Sequence, residues 1–228
     1  MKLLSTLGVI GVLDGAKAEC EAAAGGPIER SFDPTQRMLE RIADGERADV
    51  AILTTAGVET LIKSGVLAAG TRVDLARSLV GIAVQAGAPK PDISTVEATK
   101  RTLTNARSVV YSRKGQSGIF FAGLIERLGI ADEVNRRAII QETGTTAKLV
   151  AKGEAEIAVQ QVSELMIVKG IDLVGPLPLE IQDDLVFAGA VFAGSPNADA
   201  ARRFLSFLAQ PQLAGLYREK GLEPVNVA

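Results

Sequence analysis

Short apolar runs alternate with stretches of helical spacing along all 228 residues, which is the pattern of βαβ units and a largely parallel sheet. "KLLST" reads as a strand, and Val9, Val12, Leu13, Ala16, Cys20 and Ala23 after it mark one buried helix face. Strands "IERSF" and "ADVAILT" follow, separated by a helix that Asp33, Pro34 and Gln36 open and Gly45 stops, with Met38, Leu39 and Ile42 as its buried face. A further helix stops near Gly65. "RSLVGIAVQAG" then reads as one long strand before "APKPD" breaks the chain.

The middle block opens at Ser94 and Glu97, the spacing of a capping box. It continues with strand "RSVVY", a helix over residues 117–128, strand "RAIIQ", a helix over 145–152, strand "AEIAV", the short helix "SELMIV" and strand "IDLVG". "DDLVFAGAVFAG" is a second long strand. A helix carrying Ala201, Phe204, Leu205 and Leu208 and a last helix over 211–221 complete the chain. The two long strands, near 78–86 and 184–193, bracket the middle block. Side by side they would form a two-strand hinge between a discontinuous domain I, residues 1–82 plus 190–228, and a domain II, residues 83–189. The expected fold class is α/β, two Rossmann-like domains joined by that hinge, with a ligand cleft between them.

Composition narrows the chemistry. Hydrophobic residues make up 47% of the chain, enough for real cores, and 25 Lys plus Arg against 27 Asp plus Glu leave no basic field for nucleic acid. The chain has no histidine, which excludes His-based triads and most zinc sites. Neither a metal nor a cofactor is expected. Its single cysteine, Cys20, lies on a buried helix face and is expected to pack. No run of about 18 apolar residues predicts a membrane span. "MKLLSTLGVIGVLDGAKAEC" resembles a leader in part, but Ser5, Thr6 and Asp14 interrupt it. Reading it as part of the fold implies a cytoplasmic chain if Met1 is the natural start, or a periplasmic one if a leader was removed.

"YSRKGQSGIFFAGLIERLG" gathers Arg113, Lys114, Gly115, Ser117 and Gly118 at the start of an amphipathic helix. A capped helix after a turn accounts for this, and so does an anion site, because helix N-termini favour negative charge.

Over its whole length the chain resembles the type II solute-binding proteins, within them the molybdate-binding-protein-like family of transporter substrate-binding proteins, with its aconitate-isomerase-like branch. "RMLERIADGERADVAILTTAGVETLIKSGVLAAGTRVDLARSLVGIAVQAG", "IFFAGLIERLGIADEV", "LVAKGEAEIAVQQVSEL", "VGPLPLEIQ" and "PNADAARRFLSFLAQPQLAGLYREKGL" carry the likeness. The resemblance implies an anion held by Ser5 and Thr6 after the first strand, and by Thr35 in the "SFDPTQ" turn. From the middle domain it implies Arg113, Lys114, Ser117 and Gly118, then Gly144 and Thr145, then Gln160 and Gln161 in "AVQQ". The sequence departs from the molybdate pattern, with Asp33-Pro34-Thr35 in place of a Ser-rich loop and two glutamines where a tyrosine is usual. Fixed cations suit carboxylates, whereas a neutral cage suits tetrahedral oxyanions.

Two functions follow from that likeness. One is a binder that closes two domains on an organic carboxylate or an oxyanion, with a membrane permease as partner if the chain is exported. The alternative is a cofactor-free isomerase of an unsaturated organic acid. No catalytic residue is singled out by spacing. The candidates for carrying a proton are Lys114, Glu142, Glu164 and Lys148, each of which reads equally well as a surface or strand-end residue.

Overall fold

The computed structural model describes residues 1–142, 144–183 and 185–225. Strand β1 (Lys2–Ser5) leads through a 3-10 turn, Leu7–Val9, into α1 (Ile10–Gly15) and α2 (Lys17–Ala24). Then come β2 (Glu29–Phe32), α3 (Thr35–Ala43), β3 (Val50–Thr54), α4 (Thr55–Lys63) and β4 (Val73–Ser78). The middle of the chain forms β5 (Val80–Gln85), α5 (Val96–Asn105), β6 (Val109–Ser112), α6 (Gln116–Arg127), α7 (Ala131–Asn135) and β7 (Ala138–Gln141). It continues with α8 (Ala147–Ala151), β8 (Ile157–Gln161), α9 (Val162–Leu165) and β9 (Ile171–Pro176). Last are β10 (Leu185–Val191), α10 (Ala198–Leu208), α11 (Ala214–Glu219) and β11 (Leu222–Pro224).

The chain divides into two units, Met1–Ser78 with Leu185–Ala228, and Leu79–Asp184. In the first, six strands lie in the order β11-β4-β10-β3-β1-β2. β1 is parallel to β2 and β3, and β10 runs antiparallel between β3 and β4. Every residue of β3 is buried, as a strand covered on both faces requires. Its Val50 and Ile52 join a core with Cys20, Phe187 and Phe204, and its Ala51 and Leu53 join another with Met38, Ile42 and Phe192. Burial pushes the Cys20 thiol up to about 11, which makes it inert packing.

The second unit repeats this plan with the order β7-β6-β8-β5-β9. β6 is parallel to β7 and β8, while β5 runs antiparallel between β8 and β9. Ile157 and Val159 of β8 pack with Tyr111, Phe121 and Leu124, and Ala158 faces a second core with Val110, Val150 and Leu165. In each sheet the central parallel strand connects outward, β1 to β2 and β6 to β7. Its neighbour connects the other way, β3 to β4 and β8 to β9. That reversal opens a crevice at the carboxyl ends of the strands.

Four expectations differ from the structure. "RSLVGIAVQAG" is two strands, β4 and β5, which belong to different sheets with Leu79 as the changeover. Consequently β10 pairs with β4, Leu185 opposite Ser78, while β5 pairs with β8 and β9. The units change at 78/79 and 184/185, a few residues before the expected 82/83 and 189/190. The helix start at Asp33 also differs. Pro34 occupies the N-cap of α3 without a side-chain bond, because the Asp33 carboxylate is drawn to Arg41, whose guanidinium also binds Glu46 at 2.7 Å and Ser31 at 2.9 Å. That pairing, with Lys2, holds the Glu46 carboxyl down at about 2. Finally, α5 is capped by Thr95, whose hydroxyl accepts from Ala98 N at 3.1 Å. Ser94 instead donates its N–H to Asp92 Oδ1 at 2.9 Å.

Candidate functional site

In the first unit, the carboxyl ends of β1, β2 and β3 carry Ser5, Thr6, Thr35 and Thr54. Ser5 is fully buried, and its hydroxyl donates to the Thr6 carbonyl at 3.1 Å. Thr6 starts the Leu7–Val9 turn without capping it, and its N–H donates to Ile52 O at 2.8 Å. The Thr6 hydroxyl has no partner among the described residues. Thr35 Oγ1 accepts from Thr54 N at 3.4 Å, and Thr54 Oγ1 in turn accepts from Gly57 N at 3.3 Å, capping α4. Thr35 thus ties the start of α3 to the end of β3.

The second unit has more chemistry at the same place. Arg113 N donates to Gln141 O at 2.6 Å and Lys114 N to Glu142 O at 3.3 Å, which continues the β6–β7 pairing beyond both strands. The two side chains are 60% exposed and turn to Glu142, Arg113 Nε at 2.9 Å and Lys114 Nζ at 3.8 Å. The cations expected to meet a carboxylate ligand are therefore already paired at the surface, where such bridges contribute little. Glu142 is exposed and spent on them. Lys148 is exposed on α8.

Behind this exposed corner the chain folds tightly around Ser112. Gly115 is the N-cap of α6, with no side-chain cap bond, so the first N–H groups of this helix remain open. Gly118 is a packing residue. Its own N–H donates to Gly115 O at 3.0 Å, and a Cβ there would lie 1.7 Å from the Ser112 carbonyl oxygen. Ser112 and Ser117 are each 3% exposed, and neither hydroxyl has a partner among the described residues. Ser163, at the start of α9, is buried with its hydroxyl unpartnered, and so is Gln141 Oε1 at the end of β7. These four polar groups stand at the carboxyl ends of β7, β6 and β8, three neighbouring parallel strands. Buried polar groups are rarely left unsatisfied.

Gly144 is an exposed turn residue with φ of 103°, and Thr145 is half-buried. It is the next residue, Thr146, that reaches inward. Fully buried, it donates its N–H at 2.9 Å and its hydroxyl at 2.8 Å to Gln160 Oε1. Gln160 Nε2 donates in turn to Glu164 Oε2. Gln160 and Gln161 lie within β8, each 3% exposed, and Gln161 is also engaged within the protein. Glu164 is 8% exposed, and burial pushes its carboxyl up to about 7, against the opposing pull of the Gln160 bond. The reading of Glu164 as a solvated helix residue is thus corrected. The four residues of α9 are all buried because this short helix packs on β5, β8 and β9. Thr146 has no sequence signal beyond its place in "ETGTT".

Gln160→Leu is expected to lower the melting temperature of the unliganded protein, at a cost of about 2–4 kcal/mol, because it strands the Thr146 N–H and the Glu164 carboxyl. An unchanged melt would show that the three-residue chain does not hold this corner together.

Among the described residues no helix is long and apolar enough to cross a membrane. The profile of the family described as bacterial extracellular solute-binding protein matches residues 2–223. A protein of Pseudomonas sp. named aconitate isomerase is 34% identical over 231 residues, covering 99% of this chain and 88% of its own. The periplasmic molybdate-binding protein of Azotobacter vinelandii superposes with a TM-score of 0.81 at 16% identity, over 97% of this chain and 98% of that one. The sulfate-binding protein SubI of Mycobacterium tuberculosis H37Rv gives 0.79 at 18%, over 99% and 87%. Both structures share the fold, with its two α/β units and their crevices at the strand ends, and the match to the family spans nearly every residue: the chain belongs to the bacterial extracellular solute-binding proteins.

Proposed function

We propose that this protein binds a small organic anion carrying two or more carboxylates at the carboxyl ends of β6, β7 and β8. The observation that carries this reading is the cluster of hydroxyls without partners among the described residues, those of the buried residues Ser112 and Ser117 and the fully enclosed one of Ser163, beside the open N-terminus of the twelve-residue α6. Hydroxyls and helix N–H groups are donors that suit an anion. Thr6 occupies the corresponding position after the central strand of the first sheet. A carboxylate is favoured over a tetrahedral oxyanion by the 34% identical aconitate isomerase. Arg113 and Lys114 no longer support that choice, since Glu142 pairs with both.

A second reading, that the bound acid is isomerised, is favoured by Glu164. A buried carboxyl poised near 7 is matched to proton transfer at neutral pH, a role for which the chain offers no histidine.

A thermal-shift screen against cis- and trans-aconitate, citrate, succinate, molybdate and sulfate tests the binding reading, because a ligand of the native state raises its melting point. A polycarboxylate should give the largest shift. A shift from molybdate or sulfate alone would refute the carboxylate assignment. Ser163→Ala should leave the free protein as stable or slightly more so, since it removes an unsatisfied buried hydroxyl, and should weaken the ligand about tenfold. Undiminished affinity would remove Ser163 from the site.

A further inference from the structure

The bonds around Gln160 fix which atom of Glu164 can hold a proton. A backbone N–H only donates, so the amide atom of Gln160 that faces Thr146 N at 2.9 Å is its oxygen. The amide nitrogen is thereby turned to Glu164 Oε2. That nitrogen is also a donor, so Oε2 must accept whether the carboxyl is ionised or neutral. The carbonyl oxygen of a neutral acid accepts better than its hydroxyl oxygen, so the bond to Oε2 favours the proton on Oε1, which has no hydrogen-bond partner among the described residues. No charge competes for this position: β5 and β8 carry no titratable side chain, and Asp172, the titratable residue of β9, accepts from Gly87 N at 2.8 Å. On α9 itself Glu164 is the only ionisable residue, and Lys148 of the nearby α8 is exposed.

Resting on the isomerase reading above, we infer that Glu164 Oε1 is the atom that moves the proton in an allylic shift on an unsaturated polycarboxylate, and that Thr146 and Gln160 are positioning residues that keep Oε1 free. In the first step ionised Glu164 takes a proton from the methylene carbon beside the double bond. The C–H bond breaks, an Oε1–H bond forms, and the electron pair spreads over the former alkene and its carboxylate. In the second step Oε1–H returns the proton to the far alkene carbon, leaving the double bond one position along. No electron is gained or lost overall, and the carboxyl is regenerated. Donors at the start of α6 would stabilise the charge between the two steps.

The test is isomerisation of trans- and cis-aconitate by the full chain, followed by proton NMR, together with calorimetric binding of the same acids. Glu164→Gln keeps an acceptor for Gln160 and should retain affinity within about threefold while the turnover rate falls at least about a hundredfold. An equally active Glu164→Gln would overturn the assignment of Glu164 and leave the isomerase reading standing. A wild-type chain that converts neither acid would overturn both. Should the variant fail to fold, the pH profile of wild-type turnover decides. It should rise with pH through a single group near neutrality, and Gln160→Met, which removes the bond favouring the ionised form, should move that midpoint upward. A profile flat from about pH 5 to 9, or a midpoint indifferent to Gln160→Met, would contradict the inference.

Discussion

Gly118→Ala is expected to destabilise the second unit by more than about 4 kcal/mol, or to prevent its folding, although the same exchange inside a helix ordinarily gains up to about 1 kcal/mol. The added Cβ would lie 1.7 Å from the Ser112 carbonyl oxygen, 2.6 Å from its carbonyl carbon and 2.7 Å from its Oγ. Two of these three atoms are backbone at the end of β6, a strand paired on both sides. The clash is therefore not relieved by a side-chain rotation, and α6 must lift away from the sheet. Gly123, one and a half turns further along the same helix, supplies the contrast. Its Cβ would meet only Arg127 Nη1, at 3.9 Å, so Gly123→Ala should stabilise by about 0.5–1 kcal/mol. Denaturant midpoints moving in opposite directions would establish that the start of α6 is pressed against Ser112. A mild effect at Gly118 would mean that the helix start is loosely placed, and an anion site there would lose its support.

Glu164→Gln is expected to make the protein more stable than wild type at pH 8 and no more stable at pH 4. The folded value near 7 lies above the ordinary 4.5 of a free glutamate, so between these two pH values the folded chain holds the proton more tightly than the unfolded one. The stabilising contribution of the neutral acid is whole below about pH 4.5 and is lost as pH rises through 7. The loss amounts to roughly 3 kcal/mol. The amide of the variant does not titrate, and it still offers an oxygen to Gln160 Nε2. Groups such as Glu46, whose carboxyl is depressed, titrate alike in both proteins and cancel in the difference. Urea melts of the two proteins from pH 4 to 8 should thus diverge steadily toward high pH. Parallel curves would show that Glu164 is ionised in the folded state, and its role as a proton carrier at neutral pH would fall with that result.

The division into βαβ units was legible because alternation of apolar runs with helical spacing is a local property. So was the helix after "RKGQSG", and the packing role of Cys20. What the pattern could not resolve depends on contacts distant in sequence. Leu79 separates two strands that read as one, since Arg77 to Gln85 is continuously strand-like and only the choice of sheet breaks it. Arg113 and Lys114 announce positive charge, but the partner that neutralises them, Glu142, comes from the next strand end. Gly118 reads as part of an anion-binding helix start, whereas the requirement for glycine there is the approach of a carbonyl six residues earlier. For Glu164, spacing suggests a solvated helix residue, because a four-residue helix buried on every side has no periodic signature. The chain Thr146–Gln160–Glu164 joins a turn, a strand and a helix, and only the fold brings them together.

Hydrogen exchange measured with and without trans-aconitate tests the central claim, that the anion is held at the strand ends beside α6, most directly. Bound ligand should protect the amides of Gln116 and Ser117, of residues 144–146 and of Ser163. A different surface offers itself as a control, a groove of about 550 Å³ in the second unit lined by Pro91, Arg101, Asn105 and Glu154 among others. Protection confined to that groove, or no protection anywhere with saturating acid, would contradict the account.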